Sequence, residues 1–256
     1  MAVVVVVGIA ALVAVVSTRS NSTSNTAGTA AVTDPVALVS TISAVNSDTI
    51  SAVGKGSATS LPTPIDAPDL TKDGKPMVLY IGAEYCPFCA AQRWGMVQAL
   101  SRFGTFTGLS FTHSSGNDVF PNTATLTFHG STYQSSVLSF QGIETQTVDG
   151  KTLDTPTADQ EALIAAHNPK GSIPWINFGG QYIISGALYS PGVLAGKTAD
   201  QISAALSDPS SAITKGIVGT ANVMTATICI LTNDQPSSVC SNPAIQSLET
   251  QIKAQK

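Results

Sequence analysis

The sequence predicts an α/β fold, and three stretches carry that prediction. Met77-Val78-Leu79-Tyr80-Ile81 is a short apolar run of the kind that forms a buried strand. Apolar residues then fall at Ala90, Trp94, Val97, Leu100 and Phe103, the three-to-four spacing of a helix with one buried face, and Gly104 reads as its left-handed stop. Leu109, Phe111 and His113 alternate as a second strand. Strand, helix and strand make a βαβ unit, which predicts parallel pairing and a right-handed crossover.

The chain opens on Met1 to Val16, an apolar run without a charged side chain. It is slightly short for a span of about 17–25 residues and long for a signal core of about 7–15. The reading is an uncleaved anchor over residues 1–17, with the rest outside the cytoplasm at the cell membrane; a cleaved signal and a secreted protein is the alternative. Residues 18–33, rich in Ser, Thr, Asn, Ala and Gly, read as a flexible tether to a domain over 34–256.

Asp34-Pro35 supplies an N-cap and a first-turn proline for a helix with Val36, Val39, Ile42 and Val45 on one face. Residues 54–69 are loop-like, and Lys72-Asp73-Gly74-Lys75-Pro76 is a turn into the Met77 strand. Thr123 to Phe128 and Ser131 to Phe140 are β-rich around His129-Gly130, which predicts a hairpin. Thr157-Ala158-Asp159-Gln160 and Thr198-Ala199-Asp200-Gln201 are capping boxes that open helices. Between them, two apolar strands flank Gly179-Gly180 as a second hairpin. Helices are expected over about 212–231 and from Asn242-Pro243 onward.

A net charge of −4 with only 12 Lys and Arg offers no basic patch for nucleic acid. No phosphate loop, Ser triad or metalloprotease motif is present, and neither a metal nor a cofactor is expected. His113, His129 and His167 lack ligand spacing, although His113 could approach the site from its strand end; Arg93 and Lys72 read as surface charges. The chemistry lies in Cys86-Pro87-Phe88-Cys89, at the strand-to-helix junction. Unsatisfied N–H groups and the dipole at a helix start favour a thiolate on Cys86. Pro87 suits the first turn, because its missing N–H would have no helical partner there. Phe88 adds no charge, and Glu84 either tunes the thiolate or is a solvated loop carboxylate.

Ala83-Glu84-Tyr85-Cys86-x-x-Cys89 after a buried strand resembles the redox-site entry of thioredoxins. Ile173-Pro174 before a hairpin resembles the loop whose cis-proline faces the cysteines in that family. The longer string from Leu79 to Cys89, followed by Arg93-Trp94, is similar to an uncharacterised group of bacterial and archaeal thioredoxin-like proteins catalogued as a domain of unknown function. The resemblance implies a central mixed sheet flanked by helices, here with an inserted β-hairpin and extra helices at both ends. It implies a thiol–disulfide oxidoreductase in which Cys86 attacks, Cys89 resolves, and Ile173 and Pro174 shape the substrate groove beside Glu84, Tyr85, Pro87 and Phe88. Partners would be thiols or disulfides of exported proteins, and a membrane redox partner is compatible with it. The alternative is a non-catalytic module that holds extended peptides in the same groove.

Two departures stand out. Tyr80 occupies the position six residues before Cys86 where thioredoxins bury an acid, which counts against their proton relay. Glutaredoxin-like Pro87-Phe88 comes without evident glutathione-binding features, which counts against a glutathione-dependent role. Cys229 and Cys240 read as a structural disulfide in the C-terminal region, contributing on the order of 2–4 kcal/mol. A second redox pair is the alternative, and a four-cysteine zinc site fits the spacing poorly.

Overall fold

The computed structural model describes residues 27–256, so the expected anchor at 1–17 lies outside the described residues. The last part of the expected tether is folded. Ala27–Thr29 form a 3-10 turn with Gly28 buried against the backbone of Asn122, and the Thr33 hydroxyl donates to Asp200. Helix α1 (Pro35–Ser43) is capped by Asp34, whose carboxylate accepts the Ala37 N–H at 3.0 Å. Leu38 and Ile42 are its buried residues, and the expected Val39 and Val45 pack partly buried against the same core, whereas Val36 is exposed. Helix α2 (Ser47–Val53) follows after a short break.

The central sheet is built from β1 (Thr63–Pro64), β2 (Thr71–Lys72) and β3 (Lys75–Gly82), joined later by β8 to β10. Asp73 and Gly74 take positive φ in the tight turn between β2 and β3, as the sequence predicts. Helix α3 (Pro87–Leu100) follows β3. It ends with Ser101 in right-handed conformation, so Gly104 is not its left-handed stop. Gly104 is instead a point of close approach, where a Cβ would strike the Gln134 carbonyl oxygen and the Tyr133 ring.

The next segment departs most from expectation. Strands β4 (Thr105–Thr107), β5 (Ser110–His113), β6 (Ala124–Thr127) and β7 (Thr132–Gln134) form two separate antiparallel ribbons, β4 with β7 and β5 with β6. The expected hairpin across His129-Gly130 does not form, because each of its strands pairs with an earlier one. The Leu109–His113 strand is likewise not the parallel partner of β3. That partner is β8 (Ser139–Glu144), in register from Met77 opposite Ser139 to Gly82 opposite Glu144. The inserted element is therefore a pair of nested ribbons carried within the β3–α3–β8 crossover.

Helix α4 (Ala158–His167) starts at a complete capping box on Thr157 and Gln160. Strands β9 (Trp175–Phe178) and β10 (Tyr182–Ser185) form the second hairpin, with Gly179 and Gly180 both at positive φ. A 3-10 turn at Pro191–Leu194 leads to α5 (Ala199–Ala205), α6 (Ala212–Leu231), α7 (Ser237–Cys240) and α8 (Pro243–Lys253). The result is an α/β architecture with a mixed central sheet flanked by helices. The run β1-β10-β9-β3 is antiparallel throughout, and β8 lies parallel to β3.

Alternation along β3 separates two apolar layers. Val78 and Tyr80 join the main core with α1, α3, α5, α6 and α8, while Met77, Leu79 and Ile81 meet Ile143, Trp175 and the α4 residues Leu163 and Ile164. Burial on both faces explains why β3 reads as a continuous apolar run rather than an alternating one. Among the described residues, α6 is the one helix long and apolar enough to cross a membrane by itself, yet 89% of its apolar window is buried inside the protein. It is the central support for α3, and the two helices approach closely at Gly95, where a Cβ would sit 2.7 Å from Thr220 Cγ2.

Candidate redox site

Cys86 is the N-cap of α3. Its extended backbone (φ −79°, ψ 119°) turns the Sγ onto the first helical turn, where it accepts the Cys89 N–H at 3.3 Å. Pro87 fills the first helical position, as the sequence suggests. Both cysteines are free thiols and both are buried, Cys86 at 6% exposure and Cys89 at 0%. By that small difference, Cys86 is the one of the two that reaches the surface. A hydrogen bond from the Cys89 side chain lowers the Cys86 pKa against the opposing effect of burial, helped by the Cys89 and Phe88 amides and the Arg93 charge. Burial pushes Cys89 well up, and its hydrogen bond to Cys86 adds to that. One thiol is poised to ionise and the other is held protonated.

Beneath the cysteines lies a polar cluster that sequence reading missed. Arg93, expected at the surface, is fully buried one helical turn after Cys89. Its Nη1 bonds Glu144 Oε2 at 2.8 Å, the Ala83 carbonyl at 3.3 Å and the Tyr80 hydroxyl at 3.4 Å, and its Nε donates to Thr125 Oγ1 at 3.4 Å. Glu144 is also fully buried. It lies directly opposite Gly82, at the end of β8 nearest the redox loop. Gly82 in turn leaves room for the Tyr80 hydroxyl, which a Cβ at that position would meet.

Burial raises the Glu144 pKa, with Arg93 opposing it. For Arg93, burial works against the charge, but Glu144, Tyr80 and Cys89 outweigh it and the guanidinium holds its proton more tightly than usual. Burial also raises Tyr80 well above the ordinary phenol, reinforced by the charges of Cys89 and Glu144. A buried carboxylate therefore is present, supplied by the neighbouring strand rather than by position 80. Its only sequence signal is a charge closing the run Phe140-Gln141-Gly142-Ile143, and from sequence the parallel pairing that makes this meaningful is expected of the Leu109–His113 strand instead.

The other expected site residues fall around this centre. The Ile173–Pro174 peptide is cis, and Pro174 is buried immediately before Trp175, which pairs with Ile81 near the end of β3. Ile173 and Pro174 thus enter the sheet at the end from which the redox loop leaves. Trp175 is a core residue, as expected. The Glu84 N–H donates to the Gln146 carbonyl at 2.9 Å, and the Tyr85 carbonyl accepts from the Ser115 N–H at 2.8 Å. Phe88 is exposed and its ring meets Phe120 edge-on, with centroids 5.9 Å apart. His113 lines a groove with Tyr85 and holds its Nδ1 2.9 Å from the Ser114 carbonyl oxygen.

Cys229, on α6, and Cys240, at the end of α7, are joined in a buried disulfide, as the sequence suggests. The family model described as "Domain of unknown function (DUF929)" matches residues 62–170, a stretch that contains β3, α3, both cysteines of the C-x-x-C pair, Arg93 and Glu144. No curated protein and no solved structure matches this chain.

Proposed function

We propose that this protein is a thioredoxin-like thiol–disulfide oxidoreductase working through Cys86 and Cys89. The observation that carries this reading is the pairing of a helix-capping Cys86 thiol, lowered in pKa, with a buried Cys89 one turn behind it. In the reductive direction, the Cys86 thiolate bonds to one sulfur of a substrate disulfide as the substrate S–S bond breaks, and the other substrate sulfur leaves as a thiolate. Cys89, after losing its proton, bonds to Cys86 Sγ and releases the first substrate sulfur. Two electrons and two protons pass to the substrate, and the protein ends as the Cys86–Cys89 disulfide. Oxidation of a substrate dithiol is the same sequence reversed. The Ile173 N–H and C=O make no backbone hydrogen bond among the described residues, which supports pairing with an extended substrate segment at the cis-proline loop.

The decisive assay is reduction of a disulfide-bonded model protein and reoxidation of a reduced one, comparing the protein with Cys86→Ser. Loss of both activities is expected, and undiminished turnover by the variant would falsify the assignment. The reduction potential then settles direction: about −270 mV matches a reductase and about −120 mV an oxidase. Localisation outside the cytoplasm, tethered by the apolar opening run, belongs to the same proposal and draws support from the buried Cys229–Cys240 disulfide, a bond of oxidising compartments. Carbonate-resistant membrane association that disappears on deleting residues 1–16 is the expected result; release of a shorter soluble form overturns the tether.

A further inference from the structure

A groove of about 550 Å³ opens beside Tyr85, the residue immediately before Cys86. One wall is the 115–118 part of the loop between β5 and β6; the other is the turn around 148–150. Both walls are fixed to the redox loop by main-chain bonds, Ser115 N–H to the Tyr85 carbonyl and Glu84 N–H to the Gln146 carbonyl. Asp118 and Asp149 line the groove, no Lys or Arg does, and Glu84 adjoins it through the Gln146 contact. None of these three carboxylates takes part in an ion pair among the described residues. The same loop continues into an apolar patch, where Val119 is exposed and Phe120 meets the exposed Phe88. In the chain, Cys86 lies between the groove residue Tyr85 and the patch residue Phe88.

We infer that this loop selects the substrate: a polypeptide segment with a basic side chain on one side of its reactive cysteine and an apolar one on the other. The basic group enters the groove between Asp118 and Asp149, and the apolar group covers Phe88 and Val119. Charge complementarity argues for that occupant. The acidic side chains Asp118 and Asp149 line the groove beside the His113 ring and no Lys or Arg offsets them, so acidic segments are rejected as basic ones are drawn in. The apolar patch makes the contact a protein segment rather than a simple cation, because it places exposed hydrocarbon beside the same thiol. The inference rests on Cys86 as the attacking thiol, and the exchange needs no reactant beyond the substrate disulfide.

The test uses two disulfide peptides, identical except that Arg or Glu flanks the cysteine, together with cysteine-free versions of each. Binding of the cysteine-free peptides to the full-length protein is read by fluorescence anisotropy, and single-turnover reduction of the disulfide peptides by the pre-reduced protein is read separately. The Arg peptide should bind about 5–30-fold more tightly at low salt, a preference that shrinks as salt is raised. Asp118→Lys with Asp149→Lys should invert the preference, and an unchanged melting temperature shows that the variant is folded. Equal binding of both peptides, or a preference that survives the charge reversal, overturns the inference. Reduction without charge preference removes the groove's role and keeps the oxidoreductase. A charge preference in binding without any reduction keeps the groove and removes the oxidoreductase.

Discussion

At Cys86 and Cys89 two thiols three residues apart are driven in opposite directions by different surroundings. Cys86 sits where N–H groups point at it, and Cys89 sits where burial outweighs the help of the Arg93 charge and a backbone hydrogen bond at Ala83. Limiting alkylation of the reduced protein should therefore label Cys86 and spare Cys89. Because the Cys86 pKa is lowered, its thiolate persists as pH falls, and the alkylation rate should titrate with a midpoint below that of an unperturbed cysteine thiol measured alongside. A midpoint at or above that value, or preferential labelling of Cys89, contradicts the geometry. The Arg93–Glu144 pair calls for a second measurement. Removing one partner of a buried pair leaves the other uncompensated, so Arg93→Met should cost about 3–5 kcal/mol at neutral pH. Without Arg93, Glu144 is a buried acid with a pKa raised above its unfolded value. Such a group contributes stability below the unfolded value and loses it as pH rises through the folded one. The deficit of Arg93→Met in urea melts should therefore narrow toward about pH 4, and Arg93→Met/Glu144→Gln should recover part of it at pH 7. A deficit independent of pH assigns the cost to packing instead.

Among the elements, those with chemical punctuation were legible in sequence and those defined by pairing were not. The Thr157 and Thr198 capping boxes, Asp34-Pro35, the Gly179-Gly180 turn and the 212–231 helix all form where local chemistry puts them. Strands β5, β6 and β7 also exist, but alternation in one strand says nothing about which other strand it meets; β5 skips the sheet and pairs with β6 across a ten-residue loop. The same limit hid Arg93 and Glu144. Each reads as an ordinary surface charge until β8, not β5, is laid beside β3. At the C-terminal end, the Cys229–Cys240 link ties α6 to α7 across a separation of 11 residues. A loop of that size restricts the unfolded chain by about 3 kcal/mol in the chain-entropy account. Cys229→Ala/Cys240→Ala should lower the urea midpoint accordingly while leaving Cys86 alkylation intact. If alkylation or peptide reduction at Cys86 falls in step with removal of the disulfide, the two pairs exchange electrons and a purely structural role is wrong.

Across the molecule, the segment matched by the family model and the folding unit are different things. Residues 62–170 contain the redox helix, its cysteines and the buried Arg93–Glu144 pair, yet they omit β9, β10 and α6. Strand β3 would then lose its antiparallel neighbour from Val78 to Ile81 and expose a long apolar edge, the usual template for aggregation. Helix α3 would lose α6, the helix it approaches closely enough at Gly95 to exclude a Cβ. Trp175 and Phe178 would leave both apolar layers of the sheet. Residues 27–256, by contrast, retain every neighbour named here. A fragment of residues 62–170 should consequently show no cooperative urea transition and should aggregate on refolding, while residues 27–256 should unfold in one sharp transition with the low-pH alkylation of Cys86 confined to the folded state. A cooperative transition in the shorter fragment, with Cys86 still alkylated at low pH, would show that α6 and the β9–β10 hairpin decorate the redox unit rather than complete it.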